Sequence, residues 1–218
     1  MPALSPDALD KVRSGIETSA ITLFVKKGFH GTSIRDIARQ AGVSLGCIYG
    51  HYQGKDALFA AIAERYRKVF AQPDNPVLRY LGDTRFPDDI PEMALAIREL
   101  IELHRDFWLL WYVDVLEFQG QHFGSTFLHD PGLGHPGVQR RLKELRATSR
   151  LRIEPELAFR MVYMHLFNFV IVETLFGGKE HYGVPINTAI DAIVDVFLFG
   201  IVQPSSEAAN GPQLSVTP

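Results

Sequence analysis

The chain has 218 residues, 46% hydrophobic and 22% charged, with 22 Lys and Arg against 25 Asp and Glu for a formal net charge of −3. That balance excludes a chain too polar to bury a core. The one cysteine, Cys47, excludes an intramolecular disulfide framework and a cysteine-based zinc site. No signal-peptide pattern opens the chain, and the apolar stretches near 107–118 and 161–176 are broken by Asp114, Glu117, His165, Asn168 and Glu173. A soluble cytoplasmic protein without a membrane partner is therefore expected. Charge is uneven along the chain: residues 1–70 hold ten Lys and Arg against six Asp and Glu, residues 71–218 twelve against nineteen. A basic first third on an acidic remainder suggests two functional modules.

In chain order, Leu9, Val12, Ile16, Ala20, Leu23 and Phe24 recur at three- and four-residue steps and predict a helix that stops at Gly28. Thr32 is the expected N-cap of a short second helix carrying Ile34, Ile37 and Ala38, and Gly42 supplies the turn after it. Ser44 is the expected cap of a very short third helix with Val43, Ile48 and Tyr52 inward. A long helix follows over 55–72, then a Pro- and Gly-interrupted connector over 73–90 with at most a short helical piece. Helical periodicity resumes over 90–104 and in an aromatic segment over 107–119. A Gly- and His-rich loop covers 120–136, and a basic amphipathic helix starts at Pro136. Pro155 opens a long apolar helix to Phe176, and Pro185 opens the last, to Val202. No alternating strand pattern is present, so the class is all-α. The expected division is a three-helix DNA-binding domain over 1–54, a larger helical effector-binding and dimerisation domain over 55–203 entered by helix 55–72, and a disordered tail over 204–218.

Two short helices about a Gly turn, 33–40 and 44–52, have the dimensions of a helix-turn-helix. Gly42 permits a left-handed turn, Ile37, Ala38, Val43 and Ile48 hold the pair together, and small Gly46 and Cys47 allow close approach to a groove. Within 31–58, the runs Ile37-Ala38, Ala41-Gly42-Val43-Ser44, Tyr49-Gly50-His51-Tyr52 and Lys55-Asp56-Ala57-Leu58 resemble the DNA-binding signature of the TetR family of transcriptional regulators. The resemblance covers about 50 residues. It implies that Arg35 reaches a base edge and that Ser33, Ser44, Tyr49, His51 and Lys55 touch the phosphate backbone. Leu45, Gly46 and Cys47 fall where other members read bases. Leu45 and Gly46 carry no hydrogen-bonding side chain, which leaves readout to Arg35, to apolar contact by Leu45 and to DNA shape. Tyr52 is read as a core aromatic.

What the resemblance implies is a ligand-responsive regulator, more commonly a repressor, that binds a palindromic double-stranded operator as a homodimer through helices 155–176 and 185–202. The effector is expected to be an apolar or aromatic small molecule held by Trp108, Trp111, Tyr112, Asp114, Phe118, Tyr163, Phe167 and Asn168, with Asp114 or Glu117 suited to a cationic one. Helix 55–72 is the expected lever between effector and reading head. No cofactor, metal site or catalytic residue is expected. The competing reading is a metal- or small-molecule-binding helical protein or enzyme that does not bind DNA specifically. Its raw material is His122, His129 and His135 with Asp130, but spacings of seven and six residues match no helical ligand pair, and no nucleophile elbow or phosphate loop is present. A second alternative is an interaction protein that keeps the fold without binding DNA.

Overall fold

A computed structural model describes residues 5–123, 132–176 and 183–201. Among them are ten α-helices and no β-strand, as the all-α expectation requires. They are α1 (Pro6–Lys27), α2 (Ile34–Ala41), α3 (Leu45–His51), α4 (Lys55–Phe70), α5 (Pro76–Gly82), α6 (Ile90–Leu103), α7 (Arg105–Phe118), α8 (Pro136–Thr148), α9 (Pro155–Leu175) and α10 (Ile186–Ile201). The connector expected over 73–90 holds α5. The expected tail over 204–218 lies outside the described residues, as do His129 and Asp130.

The chain forms two compact units, one from residues 1–76 and 99–131, the other from 77–98 and 132–218. These boundaries differ from a cut at residue 54 because α7, far along the chain, packs on the N-terminal helices. In the first unit Ile16, Ala20 and Phe24 of α1, Ile37 of α2, Ile48 of α3 and Leu58, Phe59 and Ile62 of α4 form a closed core. The aromatic rings of α7 extend it: Phe107 stands 4.9 Å from Tyr66 and 4.4 Å from Phe70, centroid to centroid. Phe118 lies 4.5 Å from Phe29 and 5.0 Å from Phe59.

In the second unit α9 is the central helix, with Ala158, Phe159, Val162, Leu166 and Val170 buried. It is long and apolar enough to cross a bilayer by length and composition, yet half of its most apolar window is buried within the protein, the pattern of a core helix. The chain after α5 is pinned by Asp89, buried, which accepts from Tyr80 Oη at 3.0 Å and from the Arg85 amide. Arg141 of α8 donates to Phe86 O at 2.7 Å.

Candidate nucleic-acid interface

Local sequence sets the two short helices. Ser33, not Thr32, is the N-cap of α2: its Oγ accepts the Asp36 amide at 3.1 Å while the Asp36 carboxylate accepts the Ser33 amide at 3.2 Å, a reciprocal capping box. Thr32 is buried and donates its hydroxyl to Gly28 O at 2.8 Å. Asp36 sits below the usual carboxylate range, first because Ser33 hydrogen-bonds to its ionised form. Gly42 ends α2 with φ 68° and ψ 27°, a left-handed residue that turns the chain into α3. Ser44 caps α3 as expected, accepting the Cys47 amide at 3.1 Å.

The two helices bury Ile37, Ala38, Ile48 and Tyr52 and leave Ser33, Arg35, Ser44, Leu45, Gly46, Tyr49 and His51 exposed, with Cys47 half-buried. Eight of the nine residues expected to face DNA are thus exposed or half-buried on these two helices and their caps. The ninth, Lys55, does something else. Its Nζ donates to Phe29 O at 2.6 Å and Thr32 O at 2.8 Å and sits 4.1 Å from the Phe29 ring centroid, tying the α1–α2 corner to the start of α4. Two of its three N–H groups are thus engaged by carbonyls of that corner, one of which, Phe29 O, also accepts the Thr32 amide.

Two carboxylates brace this head, and the motif reading missed both. Glu17 of α1 is buried and accepts from Tyr52 Oη at 2.7 Å and Arg13 Nε at 3.2 Å, and pairs with the Arg65 guanidinium at 2.6 Å, so one acid joins α1, the end of α3 and α4. Burial, and then the bond to Glu17, push the Tyr52 phenol up to about 12. A Glu among Ile16, Ala20 and Ile21 was the visible signal. Glu117 of α7 accepts the amides of Phe29 at 2.9 Å and His30 at 2.8 Å. Nothing in its local sequence marks that role.

The residues expected to hold an effector fall in both units. Trp108 is fully buried, packed 4.7 Å from Phe107. Trp111 and Tyr112 are half-buried, their rings 5.1 Å apart, and burial raises the Tyr112 phenol. Asp114 is fully buried and accepts the amides of His122 and Phe123 and, at 2.7 Å, His122 Nδ1. Phe118 belongs to the Phe29–Phe59 cluster. In the second unit Tyr163 and Phe167 are buried and stacked at 6.2 Å, and Asn168 is exposed and donates back to Met164 O. Asp114 and Glu117 are thus corrected from counter-charges for a cation to acceptors of backbone amides, occupied by the fold itself. His135 accepts the Gly137 amide as the cap of α8, and no cluster of three metal-ligating side chains occurs among the described residues.

Residues 16–62 match the family of bacterial regulatory proteins called tetR. The N-terminal module is a TetR-family helix-turn-helix domain. Curated relatives of this TetR domain include the uncharacterised HTH-type transcriptional regulator YerO of Bacillus subtilis, 38% identical over 58 residues covering 27% of this chain and 20% of YerO. The HTH-type transcriptional repressor NicS of Pseudomonas putida is 29% identical over 117 residues, 53% of this chain and 51% of NicS. The matches thus span from a fifth to about half of these relatives' length. Beyond the TetR domain the fold is shared more widely: the crystal structure of the regulator FadR from Bacillus subtilis in complex with stearoyl-CoA superposes with a TM-score of 0.57 at 15% identity, over 86% of this chain and 98% of FadR.

Proposed function

We propose that this protein is a dimeric, ligand-responsive transcriptional repressor that binds a palindromic duplex operator and acts in the cytoplasm. The observation that carries this reading is the split of α2 and α3 into a closed inner side and an outer side of Ser33, Arg35, Ser44, Tyr49 and His51. Arg35 supplies a fork suited to a guanine edge, while the hydroxyls and His51 fix register on phosphates.

One recognition helix covers too little of a duplex to bind tightly, so a second copy is required. The second unit offers a surface for it. Leu157 and Met161 on α9 and Val196 and Phe199 on α10 are exposed, the last two by 73% and 80%. Beside them His165, Ala192, Val196 and Phe197 line an apolar groove of about 400 Å³. Exposed apolar surface of this kind on two adjacent long helices supports a two-fold helical interface.

The effector is apolar, drawn by aromatic side chains such as the half-buried Trp111 and Tyr112 of α7, as the stearoyl-CoA complex of a protein of this fold illustrates. It acts by favouring one pose of the head over another. Within the first unit, Tyr66 and Phe70 of α4 pack on Phe107, and Arg65 of α4 reaches the Glu17–Tyr52 pair, so a shift of α7 is passed along α4 to the end of α3.

Selection of bound sequences from a randomised duplex pool at stated salt, with Arg35→Ala as control, tests this. An enriched palindrome lost in the variant supports the regulator. No enrichment at low salt turns the assignment toward a ligand-binding helical protein.

A further inference from the structure

At about 100° per residue, the seven residues of α3 and its C-cap fall into four stripes of residues four apart. Ile48 and Tyr52 form the stripe that is buried. Leu45 with Tyr49 and Cys47 with His51 form the two flanks. The stripe opposite the core holds only Gly46 and Gly50, both exposed. Neither glycine is required by the protein's own packing: a Cβ at Gly50 would meet nothing within 4 Å, and one at Gly46 only Ser44 Oγ at 3.9 Å. Both have ordinary negative φ, since neither is among the positive-φ glycines. In a helix each glycine costs about 1 kcal/mol relative to alanine. Two of them on the outermost stripe of a seven-residue helix therefore weaken it with no return inside the fold.

The chemistry of the flanks is equally restricted. No amide, carboxylate, Lys or Arg side chain projects from α3, so the bidentate pairings that distinguish purines are not available to it. Leu45, 37% exposed, is its one aliphatic group outside the core. The major groove presents one kind of apolar group, the C5-methyl of thymine.

We infer that α3 reads its half-site by apolar contact: the Gly46–Gly50 stripe brings bare helix backbone onto the groove floor, and Leu45 sets against thymine methyl groups. This rests on the DNA-binding reading above and specifies which chemistry within the operator is recognised. Gly46 and Gly50 are positioning residues for that contact, and Leu45 determines specificity.

The test takes the duplex enriched by the full-length protein and replaces thymines one at a time by deoxyuridine, which removes the methyl alone. Affinity is expected to fall about fourfold at one or more positions in each half-site, the transfer worth of one buried methyl group, and the loss to vanish in Leu45→Ala. Gly46→Ala and Gly50→Ala are expected to raise the unfolding midpoint by about 2–4 °C each while weakening operator binding tenfold or more. That opposition separates close approach from a structural role. A specific duplex indifferent to deoxyuridine throughout, or glycine variants that bind as the parent does, would overturn the inference and leave the regulator standing. Failure to enrich any duplex would overturn both.

Discussion

Tyr52 and Glu17 show how a single pair fixes the reading helix. The phenol is buried and donates at 2.7 Å to a carboxylate that is itself buried, so neither group has water to fall back on. Tyr52→Phe is expected to cost about 1.5–3 kcal/mol in chemical denaturation, the worth of a hydrogen bond to an ionised acceptor. The folded phenol holds its proton to about 12, above its ordinary 10.0. Its contribution is therefore complete below pH 10 and is lost as pH rises toward 12, so stability should fall more steeply over that window in the parent than in Tyr52→Phe. Gly28 is a second such position. It has φ +76°, and a Cβ there would stand 2.5 Å from Glu117 Oε1. Gly28→Ala is expected to cost about 1–3 kcal/mol, from left-handed strain together with displacement of that carboxylate.

Among the elements, α7 contributes an acid that caps no helix of its own. Glu117 accepts two amides of the α1–α2 corner from 87 and 88 residues away. Hydrogen bonds to an ionised acceptor are worth about 1.5–3 kcal/mol, and this carboxylate is partly open to solvent, so Glu117→Ala should cost toward the lower end. Amide hydrogen exchange at Phe29 and His30 checks it: protection should drop there before it drops at Ile37 or Ile48. The cap of α3 and the turn before it were legible because each depends on residues within four positions: Ser44 with Cys47, Gly42 alone. The choice between Thr32 and Ser33 as cap was not, because both types suit an N-cap and only the neighbouring carbonyls of Leu23 and Gly28 draw the Thr32 hydroxyl inward.

For the whole molecule, the exposed apolar residues of α9 and α10 carry the expectation of a dimer. Phe199→Asp places a charge on the most open of them and is expected to shift sedimentation from dimer to monomer. It should weaken full-operator binding far more than binding to a single half-site, and an unchanged sedimentation coefficient would place the interface elsewhere. Helical content and the order of the helices were legible from the period of apolar residues. The grouping of α7 with the N-terminal helices was not, since its aromatic rings suit any helical core.

The sequence by itself determined the all-α class, the helix-turn-helix and the outward residues of α2 and α3, because periodicity, caps and a left-handed glycine are short-range physics. Only the tertiary structure decided what Lys55, Asp114 and Glu117 do. Each is a charged side chain that a local reading assigns to a ligand, and each bonds backbone groups within 3 Å: Lys55 and Glu117 those of the distant α1–α2 corner, Asp114 those of the turn that follows α7. A buried amide or carbonyl must find a partner, and which charge supplies it depends on how the chain folds back on itself and not on a local sequence pattern.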